Sequence, residues 1–242
     1  MRLSRRLAIT ALSLISAVSL VACGGTASDS ASSAAPAAGA QGASAGADIT
    51  GEVTVFAAAS LQDAFEELAE SFQNAHPGVH ITFDFQGSQD LVSSLASGNS
   101  ADVLATANNS TMKDAADQKL VGDQTEFATN VLTLIVPKGN PKKITGLDSS
   151  LDGANLVVCA PEVPCGEATQ KLAAELGVTL NPVSEEQKVT DVRGKVEAGE
   201  ADAGIVYRTD AVASGKKVDT IEIPGADQIV NTYPIAPVKA SE

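Results

Sequence analysis

Apolar residues recur along the chain at two spacings, and the alternation between those spacings lays out the elements. Val53 and Val55 alternate with polar neighbours across Glu52–Ala57, the pattern of a strand. Leu61, Phe65, Leu68 and Phe72 follow at four-, three- and four-residue steps, the period of an amphipathic helix, which Pro77-Gly78 closes. Val79–Phe85 is a second alternating strand, and Gly87-Ser88 opens a helix through Leu91, Val92 and Leu95 to Gly98. Asp102–Ala107 is a third strand, and Asn130–Pro137 and Asn155–Ala160 are near-continuous apolar strands. Between Asn108 and Asn130, Met112, Ala115-Ala116 and Leu120 predict a helix and a loop. A helix from about Gly166 to Leu176 stops at Gly177. A shorter one starts near Asp191, ends at Gly199 and leads into a strand over Gly204–Tyr207, with Val218–Ile223 as the last strand. No internal repeat is present. Strand–helix alternation of this kind predicts an α/β fold with mostly parallel sheets.

Composition narrows what such a fold can do. The chain has 242 residues, 16 Lys+Arg against 30 Asp+Glu, and a formal net charge of −14. Without the three arginines of residues 1–22 the balance is 13 against 30, a charge of −17. A surface this acidic repels polyphosphate chains, which argues against nucleic acid as a partner. Six Phe, two Tyr and no Trp leave little for stacking on bases or sugars. Two His and three Cys build neither a histidine-rich zinc site nor a dense disulfide framework. Hydrophobic residues at 44% are ample for a packed core.

Arg2, Arg5 and Arg6 precede an apolar run from Leu7 to Ala22, a positive n-region and a short h-region. The run ends in Leu20-Val21-Ala22-Cys23, followed by Gly24-Gly25, which resembles the lipobox of bacterial lipoproteins. The resemblance implies cleavage before Cys23 and lipid on that cysteine. The protein would then be held at the outer face of the cytoplasmic membrane without a spanning helix. Ala, Ser and Gly fill 20 of the 25 positions from 24 to 48, the composition of a flexible leash. The folded part is expected to begin near Ile49.

Four times, a strand or loop brings a small or polar residue to the first turn of a helix. Ser60 precedes Leu61, with Asp63 three residues later as in a capping box. Ser88 follows Gly87, Cys165-Gly166 follows Pro164, and Asp191-Val192 precedes Val196. Helix N-termini carry unpaired N–H groups and about half a positive charge each, so four together suit a dianion without any Lys or Arg.

These segments also resemble the molybdate-binding proteins of ABC transporters. The resemblance rests on Val53-Thr54-Val55-Phe56-Ala57-Ala58-Ala59-Ser60-Leu61, Gly87-Ser88 and Val163-Pro164-Cys165-Gly166. Asp191-Val192-Arg193-Gly194 and Gly204-Ile205-Val206-Tyr207, with Asp210-Ala211-Val212 after it, complete the set, in order over about residues 52–238. It implies a type II periplasmic-binding fold, two α/β lobes joined by crossing strands with an oxyanion in the cleft. Lobe I would span 49–131, with 216–242 returning to it, and lobe II 132–215. The implied ligands are Ser60 and Ser88 on one lobe, and the N–H groups of Cys165 and Val192 with the Tyr207 hydroxyl on the other. Molybdate accepts hydrogen bonds and donates none, so a site of donors suits it, whereas a protonated phosphate wants an acceptor. The sequence departs from the family at position 165, where many relatives carry a small residue such as Ala. It also ends at Glu242, soon after Tyr233-Pro234-Ile235, where the family continues with helices that pack on the first lobe; the expectation is a fragment or a first lobe without that cover.

Cys159 and Cys165 lie six apart across a Pro-containing turn, and outside the cytoplasm a disulfide is the favoured reading, with a catalytic thiol as its rival. His76 and His80 are separated by Pro77-Gly78, which prevents a helical metal face, and no bare-cation site is expected. Ser60 lacks a G-x-S-x-G elbow and a partnered His. The expected function is capture of molybdate, with tungstate nearly indistinguishable, by a monomeric, lipid-anchored, non-enzymatic protein that delivers it to an ABC permease. Another tetrahedral oxyanion such as sulfate is the alternative, and a lipid-anchored hydrolase using Ser60 or a free Cys165 is a second. No cofactor is expected.

Overall fold

The computed structural model describes residues 49–239. The signal sequence, Cys23 and the leash expected over residues 1–48 lie outside the described residues. The chain begins with β1 (Gly51–Ala58), α1 (Gln62–Ala75), β2 (Val79–Gln86), α2 (Ser88–Ala96), β3 (Val103–Ala105), α3 (Asn109–Asp117) and β4 (Thr125–Asn130). It then crosses into β5 (Leu132–Pro137), β6 (Leu156–Cys159), α4 (Pro164–Leu176), β7 (Ser184–Glu186), α5 (Val189–Glu197), β8 (Ala203–Tyr207), α6 (Arg208–Ala213) and β9 (Val218–Ile221). It returns in β10 (Asn231–Pro237).

Two five-stranded sheets result, ordered β2-β1-β3-β10-β4 and β7-β6-β8-β5-β9. Each is mixed, with four of its five strands running the same way: β1 pairs parallel with β2 and β3, while β10 is antiparallel to β3 and β4. Likewise β6 pairs parallel with β7 and β8, while β5 is antiparallel to β8 and β9. The odd strand in each sheet is the one that has just crossed from the other lobe. A strand followed by a packing helix is brought back parallel to itself, but a crossing strand enters with no α-helix before it, β10 having only the 3-10 turn Ala226–Gln228. The other four strands of each sheet therefore end on the side where the crossing strand starts, and that side is the cleft.

The sequence pattern placed the return to lobe I at residue 216. Instead β9 pairs with β5 in the second sheet, so the return comes after Ile221 and enters lobe I as β10. Val218–Ile223 is accordingly not the last strand. Pro234 and Pro237 obscured β10, and its register with β4 does shift between Tyr233 and Pro234. Two more strands escaped the pattern: β4 is half-exposed at a sheet edge, and β7 has three residues with no apolar member.

Packing follows strand alternation. Along β1, Val55 and Ala57 face a cluster with Leu61 and Tyr233, and Phe56 faces the opposite cluster of Leu91, Leu95, Leu104 and Met112 under α2 and α3. The second lobe has one larger core running from Leu132 through Ala226. The stripe read along α1 is only partly used. Leu61 and Ala69 are buried, whereas Leu68 and Phe72 remain exposed because no described element covers that side of the helix.

Leu104 has no exposed surface at the centre of the first lobe's sheet. Leu104→Ala is expected to lower stability by about 2–5 kcal/mol, from lost burial plus a residual cavity. Urea unfolding followed by circular dichroism measures this, and a loss below about 1 kcal/mol would mean that the lobe collapses around the missing side chain.

Candidate functional site

The strands of both sheets deliver helix starts to one narrow space between the lobes. It is lined by Ser60, Gly87 and Ser88 from lobe I and by Cys165, Val189 and Tyr207 from lobe II, among others. Its cavity volume is about 20 Å3, far below the roughly 300–1,000 Å3 of pockets for drug-sized ligands. A small ion fits the space and a sugar or peptide does not. No carboxylate and no histidine lines it.

Lobe I contributes two serines. β1 runs into a short 3-10 turn, Ala59–Leu61, that carries Ser60, and Ser60 Oγ lies 3.0 Å from the Tyr233 hydroxyl. The capping box expected between Ser60 and Asp63 does not form. The 3-10 turn displaces Ser60 from the cap position, and Asp63 instead meets Arg193 of α5 at 2.8 Å across the cleft. Ser88 is the first residue of α2 and is buried, and its Oγ accepts the Ala107 N–H at 3.1 Å.

Lobe II contributes two helix starts and a phenol. Pro164 occupies the first position of α4, where its missing N–H costs nothing, and Cys165 follows it. The N–H of Glu167 already bonds to Val163 O, so those of Cys165 and Gly166 remain outside the helix ladder. A disulfide joins Cys165 to Cys159 at the end of β6, which ties the first turn of α4 to the strand before it and leaves no thiol for catalysis. α5 begins at Val189 rather than near Asp191, with Lys188 as its cap. Val192 therefore lies a turn inside the helix, and its N–H points to Lys188 O at 3.4 Å. Its side chain packs over Gly204, where a Cβ would come within 2.9 Å of Val192 Cγ1. The space is lined by Val189, not Val192. Valines at 189, 192 and 196 share one helical stripe, and that spacing was the available signal for an earlier start. Tyr207 ends β8, fully buried, and burial pushes its phenol well above the ordinary range, so it stays protonated.

The structure thus brings Ser60, Ser88, Cys165 and Tyr207 around one space and sets Val192 behind it. Two residues the sequence reading did not single out join them: Asn231, which touches Tyr207, and Tyr233, which touches Ser60.

The lobes are closed on each other. Besides the Arg193–Asp63 pair, Asn108 Nδ2 and Ser110 Oγ donate to Glu167 Oε2 at 2.8 and 3.1 Å, and Gln89 donates to the Glu162 carbonyl. Gly87 marks the tightest approach, since a Cβ there would lie 2.6 Å from the Gln187 carbonyl oxygen of the opposite lobe.

Residues 53–242 match the family described as bacterial extracellular solute-binding protein. The chain belongs to that family. It is 47% identical over 189 residues to the molybdate-binding protein ModA of Mycobacterium tuberculosis, an alignment covering 77% of this chain and 72% of that one. Identity to the ModA of Escherichia coli is 36% over 208 residues, covering 78% of each. Among solved structures, the periplasmic molybdate-binding protein of Azotobacter vinelandii superposes with a TM-score of 0.67 at 17% identity, over 78% of this chain and 86% of that one, which shows the same two-lobe fold. This solute-binding protein is a binder and not an enzyme.

Two predictions follow the closed geometry and the buried charge behind it. Gly87→Ala is expected to leave the fold intact and oppose closure. Small-angle scattering should report a more open shape; a variant as compact as the parent would remove Gly87 from the closing contact. The second concerns Asp210, which accepts the Tyr207 N–H at 3.1 Å at the start of α6. Burial pushes its carboxyl up to about 7, against the opposing pull of the Tyr207 N–H and Arg193. The same acid titrates near 4 in the unfolded chain, so the folded state holds the extra proton between about pH 4 and about pH 7. Stability is therefore lost as pH rises through that window and levels off above it. The thermal midpoint should fall between about pH 5 and about pH 7.5, and Asp210→Asn should flatten that fall. An unchanged slope in the variant would assign the dependence to another group.

Proposed function

We propose that this solute-binding protein captures molybdate, and tungstate almost equally, outside the membrane and delivers it to an ABC permease. The convergence of three α-helix starts and three hydroxyls on a space without carboxylates carries this reading. The starts of α2, α4 and α5 bring about one and a half positive charges of aligned peptide dipoles, and Ser60, Ser88 and Tyr207 add hydroxyls. Cys165 contributes its N–H, and Val189 takes the place that the sequence assigned to Val192. Molybdate offers four acceptor oxygens and no proton, which matches donors from every side. The resemblance to ModA proteins supports the choice of ion, since those relatives carry molybdate binding in their names. We assign residues 1–22 to an export signal, Cys23 to lipid attachment, and 24–48 to a leash holding a monomeric domain near its permease.

Calorimetric titration with molybdate, tungstate, sulfate and phosphate tests the reading. Molybdate and tungstate should bind tightly, sulfate more weakly and phosphate least. Ser60→Ala, Ser88→Ala and Tyr207→Phe should each cost about 1.5–3 kcal/mol, roughly 10- to 150-fold in affinity. Tight sulfate binding with none of molybdate would replace the ligand, and unchanged affinity in all three variants would move the site elsewhere.

A further inference from the structure

Asn231 opens β10 opposite Asn130 of β4, at the point where the chain re-enters lobe I. It is buried, and its Nδ2 donates to the Ala107 carbonyl oxygen at 3.0 Å and to the Tyr207 hydroxyl at 2.9 Å. A carbonyl can only accept, so the contact with Ala107 fixes which end of the amide faces inward. Nitrogen must face inward, and its second hydrogen goes to the phenol oxygen of Tyr207. Tyr207 carries one proton of its own. With its oxygen engaged as an acceptor of the Asn231 bond, that proton can turn towards the space between the lobes, which Tyr207 lines beside Tyr233.

The same residue, Ala107, organises the other lobe's hydroxyl through its N–H. Its N–H donates to Ser88 Oγ at 3.1 Å, leaving the serine proton for the same space. One backbone residue of lobe I thus sets the polarity of a hydroxyl on each side of the cleft, directly for Ser88 and through Asn231 for Tyr207.

We propose that Asn231 is a positioning residue that holds the Tyr207 hydroxyl as a donor and so selects fully deprotonated oxyanions against protonated ones. The proposal rests on the oxyanion reading above. A phenol free to rotate can donate to molybdate or accept the proton of hydrogen phosphate. A phenol whose oxygen already accepts from Asn231 is biased towards donating, and the O–H of hydrogen phosphate then meets a poorer acceptor there. Asn231 need not touch the ligand to have this effect.

The test is competition calorimetry with molybdate and inorganic phosphate near neutral pH, on the parent, Asn231→Leu, Tyr207→Phe and the double variant. Asn231→Leu should narrow the ratio of molybdate to phosphate affinity by about tenfold or more. In the Tyr207→Phe background the same substitution should produce no further narrowing, because the hydroxyl it acts through is gone. Equal weakening of both anions by Asn231→Leu would reduce the residue to a structural support and overturn the proposal, as would a narrowing that persists without the Tyr207 hydroxyl. Should Asn231→Leu fail to fold, Asn231→Ala carries the same two expectations. A parent that binds molybdate but does not discriminate against phosphate would also overturn the proposal while leaving the site in place. A parent that binds no oxyanion at all would remove the oxyanion reading itself.

Discussion

A doubly charged oxyanion gives up a hydration shell when it enters a protein, and something must replace every water that donated to it. The site proposed above would do so without an arginine, and Lys188 is the one charged residue in its lining. On the reading proposed above its donors are peptide N–H groups at helix starts and hydroxyls, of which Ser88 and Tyr207 already accept from the Ala107 N–H and Asn231. Fixed dipoles need no reorganisation on binding, and neutral donors do not repel one another when the cleft is empty. A ring of cations would do both less well, since its members would repel each other as the lobes close. The absence of carboxylates from the lining serves the same end: an acceptor would face the ion's lone pairs.

Everything in the topology that positions the site follows from sending strand ends to one place. In each sheet four strands run towards the cleft, so the residue after each strand is automatically near the ligand. The crossing strands β5 and β10 run away from it, and their first residues sit at the cleft floor. Asn231 is there for that reason, and its cross-strand neighbour Asn130 is there as the last residue of β4, with its Nδ2 reaching Thr209 of lobe II at 2.8 Å. The joint between the lobes and the inner wall of the site are the same few residues, and a change in lobe angle is felt at the hydroxyls.

How far this was legible in the sequence depended on whether a residue acts through its neighbours in the chain or through distant ones. Ser88 and Cys165 were readable because Gly87 and Pro164 punctuate helix starts locally. The start of α5 at Val189 was missed because Asp191 resembles a cap, while the residue at the cap, Lys188, makes no side-chain capping bond. Asn231 and Tyr233 were unreadable for another reason. Their strand contains two prolines, and its role exists only through partners more than twenty residues away, at Tyr207 and Ser60. The mixed sheets escaped for the same reason, since β10 takes its direction from a crossing the local pattern does not encode.

The contacts that hold the lobes together outside the ligand space are weak by construction. Asp63 is 59% exposed where it meets Arg193, so water and salt screen that pair and its contribution is of the order of the smallest surface ion pairs. Glu167 is held below the ordinary carboxylate range first by Lys171 of its own helix, with Ser110 and Asn108 of the other lobe adding to it. Much of its charge is therefore satisfied before the lobes meet. On the proposed reading, an ion in this space joins donors of both lobes at once and so adds to contacts that are individually weak. A protein that captures an ion and must surrender it needs this ordering of strengths. Stronger lobe-to-lobe latches would close the cleft when empty and slow release, while donors confined to one lobe would bind without closing at all.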